Sequence, residues 1–234
     1  MSDPVAVITG ASRGIGRATT IALANLGYRL ALVARTLADL EETARLAGTA
    51  DALLLPADVT DAKQVADLVK RAAERFGGID ALVNVAGVAP ARSIEEMSVE
   101  AWREVMDTNL SAVFYLVKYA WPYLKASSSA VVVNVSSMAA RDPFNGFAAY
   151  GAAKAGLNVL GLVAAREGHA DGIAVHTIAP GAVETAMFRQ LMTAEQYPTE
   201  KTLSPDEVAQ AIAQCVSGQL RHTSGEVIYL HKTP

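Results

Sequence analysis

Val5-Ala6-Val7-Ile8-Thr9-Gly10-Ala11-Ser12-Arg13-Gly14-Ile15-Gly16 is the stretch that decides the fold. It opens on a short apolar run of the kind that fills a strand buried on both faces. A glycine-rich turn follows at once, and then a helix predicted from Arg17 to about Gly27. Strand, glycine turn and helix in that order form the setting in which a dinucleotide diphosphate binds. Gly10 permits the tight turn, Gly14 lets backbone approach a pyrophosphate, and Gly16 lets the helix lie against the strand. The helix N-terminus offers free N–H groups and the positive end of its dipole to an anion. The spacing is Gly-x-x-x-Gly-x-Gly, and no Gly-Lys-Ser/Thr follows, so this is not a Walker loop.

Outward from that stretch, strand and helix alternate. Strands are predicted at 5–9, 29–34, 52–56, 79–84, 130–135, 173–178 and 225–230. Helices are predicted at 17–27, 37–46, 62–76, 98–125, 148–168 and 205–216, with Gly77-Gly78 and Ser204-Pro205 as stop and start signals. The pattern predicts an α/β fold: a single Rossmann-type, doubly wound parallel sheet of about seven strands with helices on both faces. No linker or repeat divides the chain, so one domain is expected over residues 1–234. Residues 186–204 have mixed polarity around Pro198 and are expected to be a mobile segment with a short helix.

Composition narrows the function. A net charge of -4, with no basic tract, argues against nucleic acid as a partner. The single cysteine, Cys215, lies among apolar residues and reads as a buried structural thiol. The four histidines, His169, His176, His222 and His231, show no ligand spacing, so no metal is expected. No signal peptide is recognisable and no uninterrupted apolar run reaches the ~20 residues of a span, so a cytoplasmic protein without a membrane partner is expected.

The end of the second strand bears on the cofactor. An NAD site wants a carboxylate there for the ribose 2′-hydroxyl. This chain has Ala34-Arg35-Thr36. Arg35 is placed to take a 2′-phosphate with its planar fork, and Arg13 is a second cation, so NADP(H) is expected, with NAD(H) as the alternative.

Tyr150-Gly151-Ala152-Ala153-Lys154 opens the long helix after the fifth strand. Residues four apart share a helix face. An ammonium beside a phenol favours the phenolate, so Lys154 is expected to lower the Tyr150 pKa and make it a general acid or base.

With these pieces in place the chain resembles the short-chain dehydrogenase/reductases over nearly its whole length, in the manner of an NADP-preferring carbonyl or 3-oxoacyl reductase. The matching pieces are Thr9-Gly10-Ala11-Ser12-Arg13-Gly14-Ile15-Gly16, Asp58, Asn84-Val85-Ala86-Gly87, Asn109, Asn134-Val135-Ser136-Ser137, Tyr150 with Lys154, and Pro180-Gly181-x-Val183-x-Thr185. The resemblance implies that Tyr150 moves the proton and that Lys154 tunes it and holds the nicotinamide ribose. It implies that Ser137, thirteen residues before the tyrosine, stabilises the substrate oxyanion, and that Asn109 kinks its helix and holds a water leading to the lysine. Gly10, Ser12, Arg13, Gly14, Ile15 and Gly16 would cradle the phosphates. Asp58 and Val59 would meet adenine, and Asn84, Ala86 and Gly87 would line the adenosine side. Pro180, Gly181, Val183 and Thr185 would surround the carboxamide and phosphates, and residues 185–204 would form the substrate lid.

Three departures stand out. Val85 replaces a frequent second asparagine, the lid is short for an acyl-carrier-protein reductase, and the C-terminus lacks the glycine pair that often ends such reductases. The implied partners are a small carbonyl or alcohol and other copies of the chain, as a homodimer or homotetramer. Phe144, Phe147, Met187, Phe188, Leu191 and Met192 flank the expected site and suggest an apolar, uncharged substrate.

The other readings are a regulatory NADP(H)-binding protein without catalysis, an S-adenosylmethionine enzyme and a sugar-nucleotide epimerase. A regulatory protein need not keep tyrosine, lysine, serine and asparagine together. The S-adenosylmethionine enzyme would want an acid after the second strand. The epimerase usually needs a larger C-terminal substrate domain.

Overall fold

The computed structural model describes residues 3–232. Seven parallel strands form one sheet in the order β3-β2-β1-β4-β5-β6-β7. They are β1 (Val5–Thr9), β2 (Arg29–Ala34), β3 (Leu53–Pro56), β4 (Ala81–Asn84), β5 (Val131–Val135), β6 (Ala174–Pro180) and β7 (Val227–Leu230). Successive side chains on a strand point to opposite faces. In β1, Val5 and Val7 pack under one helical layer, while Ala6 and Ile8 pack under the other. Strands buried on both sides need continuous apolar runs, and this explains why no polar alternation marks them in the sequence.

One layer contains α3 (Ala62–Phe76), α5 (Ala112–Ala126) and α6 (Ala148–Gly168). The other contains α1 (Gly14–Asn25), α2 (Leu37–Leu46) and α8 (Pro205–Val216). Local signals set the helix ends. Asp61 accepts hydrogen bonds from the Lys63 and Gln64 amides at the start of α3, and Gly77, with φ 86°, ends it. Ser204 and Glu207 form a reciprocal capping box at the start of α8. α6 is apolar and long enough to cross a membrane by composition alone, yet it packs along the sheet and buries Lys154.

Three expectations are corrected. The first helix begins at Gly14 rather than Arg17: Gly14 opens it with a φ of 53°, and Ile15 and Gly16 already lie within it. The helices expected over 98–125 are α4 (Val99–Met106) and α5, and what joins them is a π-helical turn, Asp107–Ser111, in place of a simple kink at Asn109. The segment 186–204 is tied down by hydrogen bonds and carries α7 (Ala186–Leu191).

Strand order reverses between β1 and β4. In open parallel sheets the crevice at the C-terminal ends of such strands is where ligands bind. The loops after β1, β4, β5 and β6 all open there.

Candidate active site

The loop after β1 and the loop after β4 meet closely. A Cβ on Gly10 would lie 2.8 Å from the Ala86 amide nitrogen, and one on Gly16 would lie 2.0 Å from the Gly10 carbonyl oxygen. Only glycine fits either position, since the opposing atoms are backbone and cannot swing aside. Thr9 joins the same loops: its hydroxyl accepts from the Val85 and Ala86 amides at 3.1 and 3.3 Å. Gly14 abuts the segment after β6, where its missing Cβ would stand 3.2 Å from Thr185 Cγ2.

The first turn of α1 has no side-chain cap. Arg13 occupies the N-cap position without accepting a hydrogen bond, and no acid follows in that turn. The orphan N–H groups of a helix start need partners. A diphosphate fits them in charge and in geometry, and the glycine cradle leaves it room. The residues present therefore fit a dinucleotide. Arg35 and Arg13 are both exposed, at the end of β2 and in the glycine turn.

Ser137 follows β5 and caps a short 3-10 turn, its hydroxyl accepting from the Ala139 amide at 3.1 Å. Tyr150 and Lys154 stand one turn apart on α6, with the Lys154 Nζ 5.7 Å from the phenol ring centre. Lys154 is 4% exposed, and its Nζ donates to the Val135 carbonyl at 2.7 Å. Ser136 ties the same turn of α6 to the sheet by donating to the Lys154 carbonyl at 3.2 Å. α6 is thus fastened to the end of β5, and this sets tyrosine, lysine and serine in one corner.

Asn109 sits in the π turn and is fully buried. Its Nδ2 donates to the carbonyls of Val88 and Val105, each at 2.9 Å, and its Oδ1 accepts from the Val88 amide at 3.2 Å. The widened turn lets this side chain point inward, where a regular helix would carry only backbone bonds. A Cβ on Gly87 would be 2.7 Å from Asn109 Oδ1 and 3.7 Å from Lys154 Nζ, so these three meet.

The electrostatics correct one expectation. The Tyr150 phenol is pushed above its ordinary value of 10.0 by burial, and the neighbouring Ser137 hydroxyl opposes that rise without overcoming it. Lys154 does not bring it below that value: burial brings Lys154 itself down from 10.5 to about 8, and its ammonium is turned to Val135. Both groups are driven toward their neutral forms. At neutral pH the corner holds a protonated phenol and a lysine still mostly charged.

Other predicted residues take varied places. Asn84 turns its side chain away from the crevice and donates to Asn134 Oδ1 at 2.8 Å, stitching β4 to β5. Asp58, exposed, accepts from the Thr60 amide and hydroxyl at 2.9 and 2.8 Å, and Val59 packs into the core. Ile15 packs from α1 against the core of its layer. Pro180 ends β6, the Gly181 amide donates to the Leu230 carbonyl at 2.8 Å, and Val183 bridges to Leu203. Thr185 caps α7 by accepting from the Phe188 amide at 3.2 Å.

Sequence reading missed the hub that holds residues 184–202 together. Arg189 pairs with Glu184 in a bidentate way through Nε and Nη2, donates from Nη1 to the Tyr197 carbonyl at 2.8 Å and from Nη2 to the Thr199 hydroxyl at 3.1 Å. Thr202 donates to the same glutamate at 3.1 Å. These bonds hold Glu184 well below the usual carboxylate range, at about 2. An acid and an arginine five residues apart on either side of a threonine cap were the available signal. Above the tyrosine, Phe147 lies 5.5 Å from the Tyr150 ring and Phe144 lies 6.0 Å from Phe147, centre to centre.

Residues 4–196 match the short chain dehydrogenase family. A cis-4-hydroxycyclohexanecarboxylate dehydrogenase of Sinomonas cyclohexanicum is 38% identical over 237 residues, covering 97% of this chain and 94% of the relative. A 3-oxoacyl-[acyl-carrier-protein] reductase, FabG, of Staphylococcus aureus is 32% identical over 240 residues, covering 97% and 96%. The crystal structure of levodione reductase superposes with a TM-score of 0.91 at 29% identity, covering 99% of this chain and 97% of that one. With the sheet order, the glycine cradle and the serine–tyrosine–lysine corner, these matches place the chain in the short-chain dehydrogenase family, as a dehydrogenase or reductase.

Proposed function

We propose that the protein is an NADPH-dependent oxidoreductase that interconverts a ketone and a secondary alcohol, with Tyr150 as general acid and base. The observation that carries this is the buried corner in which Ser137, Tyr150 and Lys154 meet beside Gly87 and Asn109. When bound, the nicotinamide supplies or accepts the hydride. Every other task falls to the chain. The glycine turn and the uncapped start of α1 hold the diphosphate. Arg35 and Arg13 take the 2′-phosphate, and the absence of an acid after β2 supports NADP(H) over NAD(H). Asp58 and Val59 stand on the adenine side. Asn84, whose Nδ2 is engaged in the sheet, contributes through its backbone with Ala86 and Gly87. Pro180, Gly181, Val183 and Thr185 flank the carboxamide.

In the reducing direction Ser137 donates a hydrogen bond to the substrate oxygen as negative charge develops there. Tyr150, protonated because burial raises its pKa, delivers its proton to that oxygen. Lys154, in its charged form, stabilises the phenolate left behind. Asn109 keeps one lone pair on Oδ1 to hold a water beside Lys154. Phe144 and Phe147 and the lid around α7 favour a substrate with an apolar frame. The relatives above are named for a cis-4-hydroxycyclohexanecarboxylate and a 3-oxoacyl-[acyl-carrier-protein]; the ring of the first supports the apolar frame, while its carboxylate is a charge the expected substrate lacks. We read residues 1–234 as one catalytic domain, with 185–204 as its lid, in a cytoplasmic enzyme. The exposed apolar residues Phe114 on α5 and Val159, Leu162 and Val163 on α6 support a homodimer or homotetramer.

The test follows NADPH and NADH oxidation with cyclic ketones, levodione and a 3-oxoacyl thioester, and NADP+ reduction with cis-4-hydroxycyclohexanecarboxylate. Tyr150→Phe is expected to lower kcat by about 10²–10⁴-fold while NADPH still binds. A Tyr150→Phe protein as fast as the wild type would sink the mechanism. Tighter binding of NADH than NADPH would sink the cofactor assignment.

A further inference from the structure

Arg17 lies one turn into α1, next to the glycine turn but outside it. Its Nε donates to the Thr43 hydroxyl at 3.0 Å, and its Nη2 donates to the Ser12 carbonyl. Thr43 stands on α2 and is completely buried; its own proton goes to the Asp39 carbonyl at 3.0 Å. One planar guanidinium therefore joins α1, the glycine turn and α2. A lysine has no fork that could serve both acceptors. Glu42, whose carboxyl feels the Arg17 charge, is paired with Arg45, and no described carboxylate forms an ion pair with Arg17.

The pinned carbonyl matters because of the peptide that carries it. A trans peptide is planar, with its C=O and N–H pointing in opposite directions. No cis bond occurs here. Holding the Ser12 oxygen toward Arg17 therefore aims the Arg13 N–H the other way and fixes the plane from which the Arg13 side chain departs. A second bond ties the same turn to β2: the Ala11 amide donates to the Val33 carbonyl at 3.2 Å, two residues before Arg35. The turn that carries Arg13 is thus fastened to both elements that flank Arg35. Both cations are themselves exposed, so the scaffold beneath them decides where they stand.

We propose that Arg17 is a positioning residue for 2′-phosphate recognition: by clamping Ser12 to Thr43 it sets Arg13 against Arg35, and so sets the preference for NADPH over NADH. The inference rests on the NADP(H) reading above. It gives the chain a specificity element that never touches the phosphate.

Steady-state kinetics with NADPH and NADH test it on the full chain as wild type, Arg35→Ala, Arg17→Met, Arg17→Lys and Thr43→Val, each with a thermal melt. Loss of a charge-assisted hydrogen bond corresponds to about tenfold or more in affinity. Arg17→Met is expected to raise KM for NADPH about tenfold with KM for NADH within about twofold, and kcat at saturating NADPH is expected to hold. Arg17→Lys is expected to resemble Arg17→Met. Thr43→Val, which removes the receiving hydroxyl at nearly constant volume, is expected to shift the same ratio in the same direction, and it carries the test if Arg17→Met does not fold. Equal loss of both cofactors, no change in the ratio, or full rescue by Arg17→Lys would each overturn the positioning role while leaving the NADP(H) reading intact. A wild type that prefers NADH, or an Arg35→Ala protein with unchanged KM for NADPH, would bring down that reading and this inference together.

Discussion

Replacing Lys154 with methionine is expected to make the cofactor-free protein more stable and the enzyme inactive. The side chain is 4% exposed, and burial lowers its pKa from 10.5 to about 8. A fall of about two and a half pH units corresponds to about 3 kcal/mol of folding free energy. The unfolded chain holds this proton more tightly than the folded one. Stability therefore rises with pH between about 8 and 10.5, and below about 8 the penalty stands in full. Methionine has a similar length and no charge to desolvate. It also gives up the bond to the Val135 carbonyl, a loss of about 1 kcal/mol. The net expectation at pH 7 is a gain of about 2 kcal/mol, or roughly 4–8 °C in Tm for a chain of this size.

The assay is urea unfolding without cofactor at pH 7, 8 and 9, followed by the fluorescence of Trp102 and Trp121. The advantage of Lys154→Met should shrink by about 1 kcal/mol from pH 7 to pH 9, because the wild type sheds its proton over that range and the variant has none to shed. A variant no more stable than the wild type at pH 7 would refute the reasoning, as would an advantage that does not change with pH. Lys154→Met should also lose ketone reduction, since nothing remains to stabilise the Tyr150 phenolate.

Three further outcomes follow from the same geometry. kcat/KM for ketone reduction should fall above about pH 8 as Lys154 loses its charge, and a profile flat to pH 10 would contradict the role given to that charge. Gly16→Ala should destabilise the protein by about 3 kcal/mol or more, because its Cβ would stand 2.0 Å from the Gly10 carbonyl oxygen and backbone cannot yield as a side chain does; a thermal melt reads this directly. Arg189→Met should open residues 192–202 to proteolysis and raise KM for substrate more than it lowers the Tm, since Arg189 joins Glu184, Tyr197 and Thr199; an uncut lid with wild-type KM would show that the hub is dispensable.

Much of the fold was legible because its signals are local. Apolar runs placed the strands to within about two residues, and Asp61, Gly77 and the Ser204 capping box marked helix ends where the structure has them. The crevice was legible through Gly10 and Gly16, whose spacing carries a steric demand that no other residue meets. What stayed hidden depends on distance in space. The sequence could not tell that Asn84 faces Asn134 across the sheet rather than the crevice, because strand register decides it. It could not tell that Lys154 points to Val135 and leaves the Tyr150 phenol high, because four-residue spacing gives a shared face and says nothing of depth. The π turn at Asn109 was foreshadowed by an asparagine inside a helix, a poor helix former whose amide needs partners.

The features that cost stability converge on one crevice. Lys154 is a buried ammonium with a backbone carbonyl as its hydrogen-bond partner and no described carboxylate paired to it. The first turn of α1 lacks a side-chain cap and a first-turn acid, while α3 and α8 are both capped by side chains. The glycine turn forgoes side chains that could have filled the same space. α2 and α6 also start without a side-chain cap, so the bare start of α1 carries weight through its coincidence with the glycine cradle and the buried lysine. An anionic ligand in the crevice would repair all of them: phosphate oxygens would meet the free amides, its bulk would fill the cradle, and ribose hydroxyls would give Lys154 further partners. Local rules are expected to fail where function is placed. It follows that cofactor binding should stabilise the wild type more than Lys154→Met, since the variant has already removed part of what the ligand relieves. The shift in Tm on adding NADPH, compared between the two proteins, measures that difference.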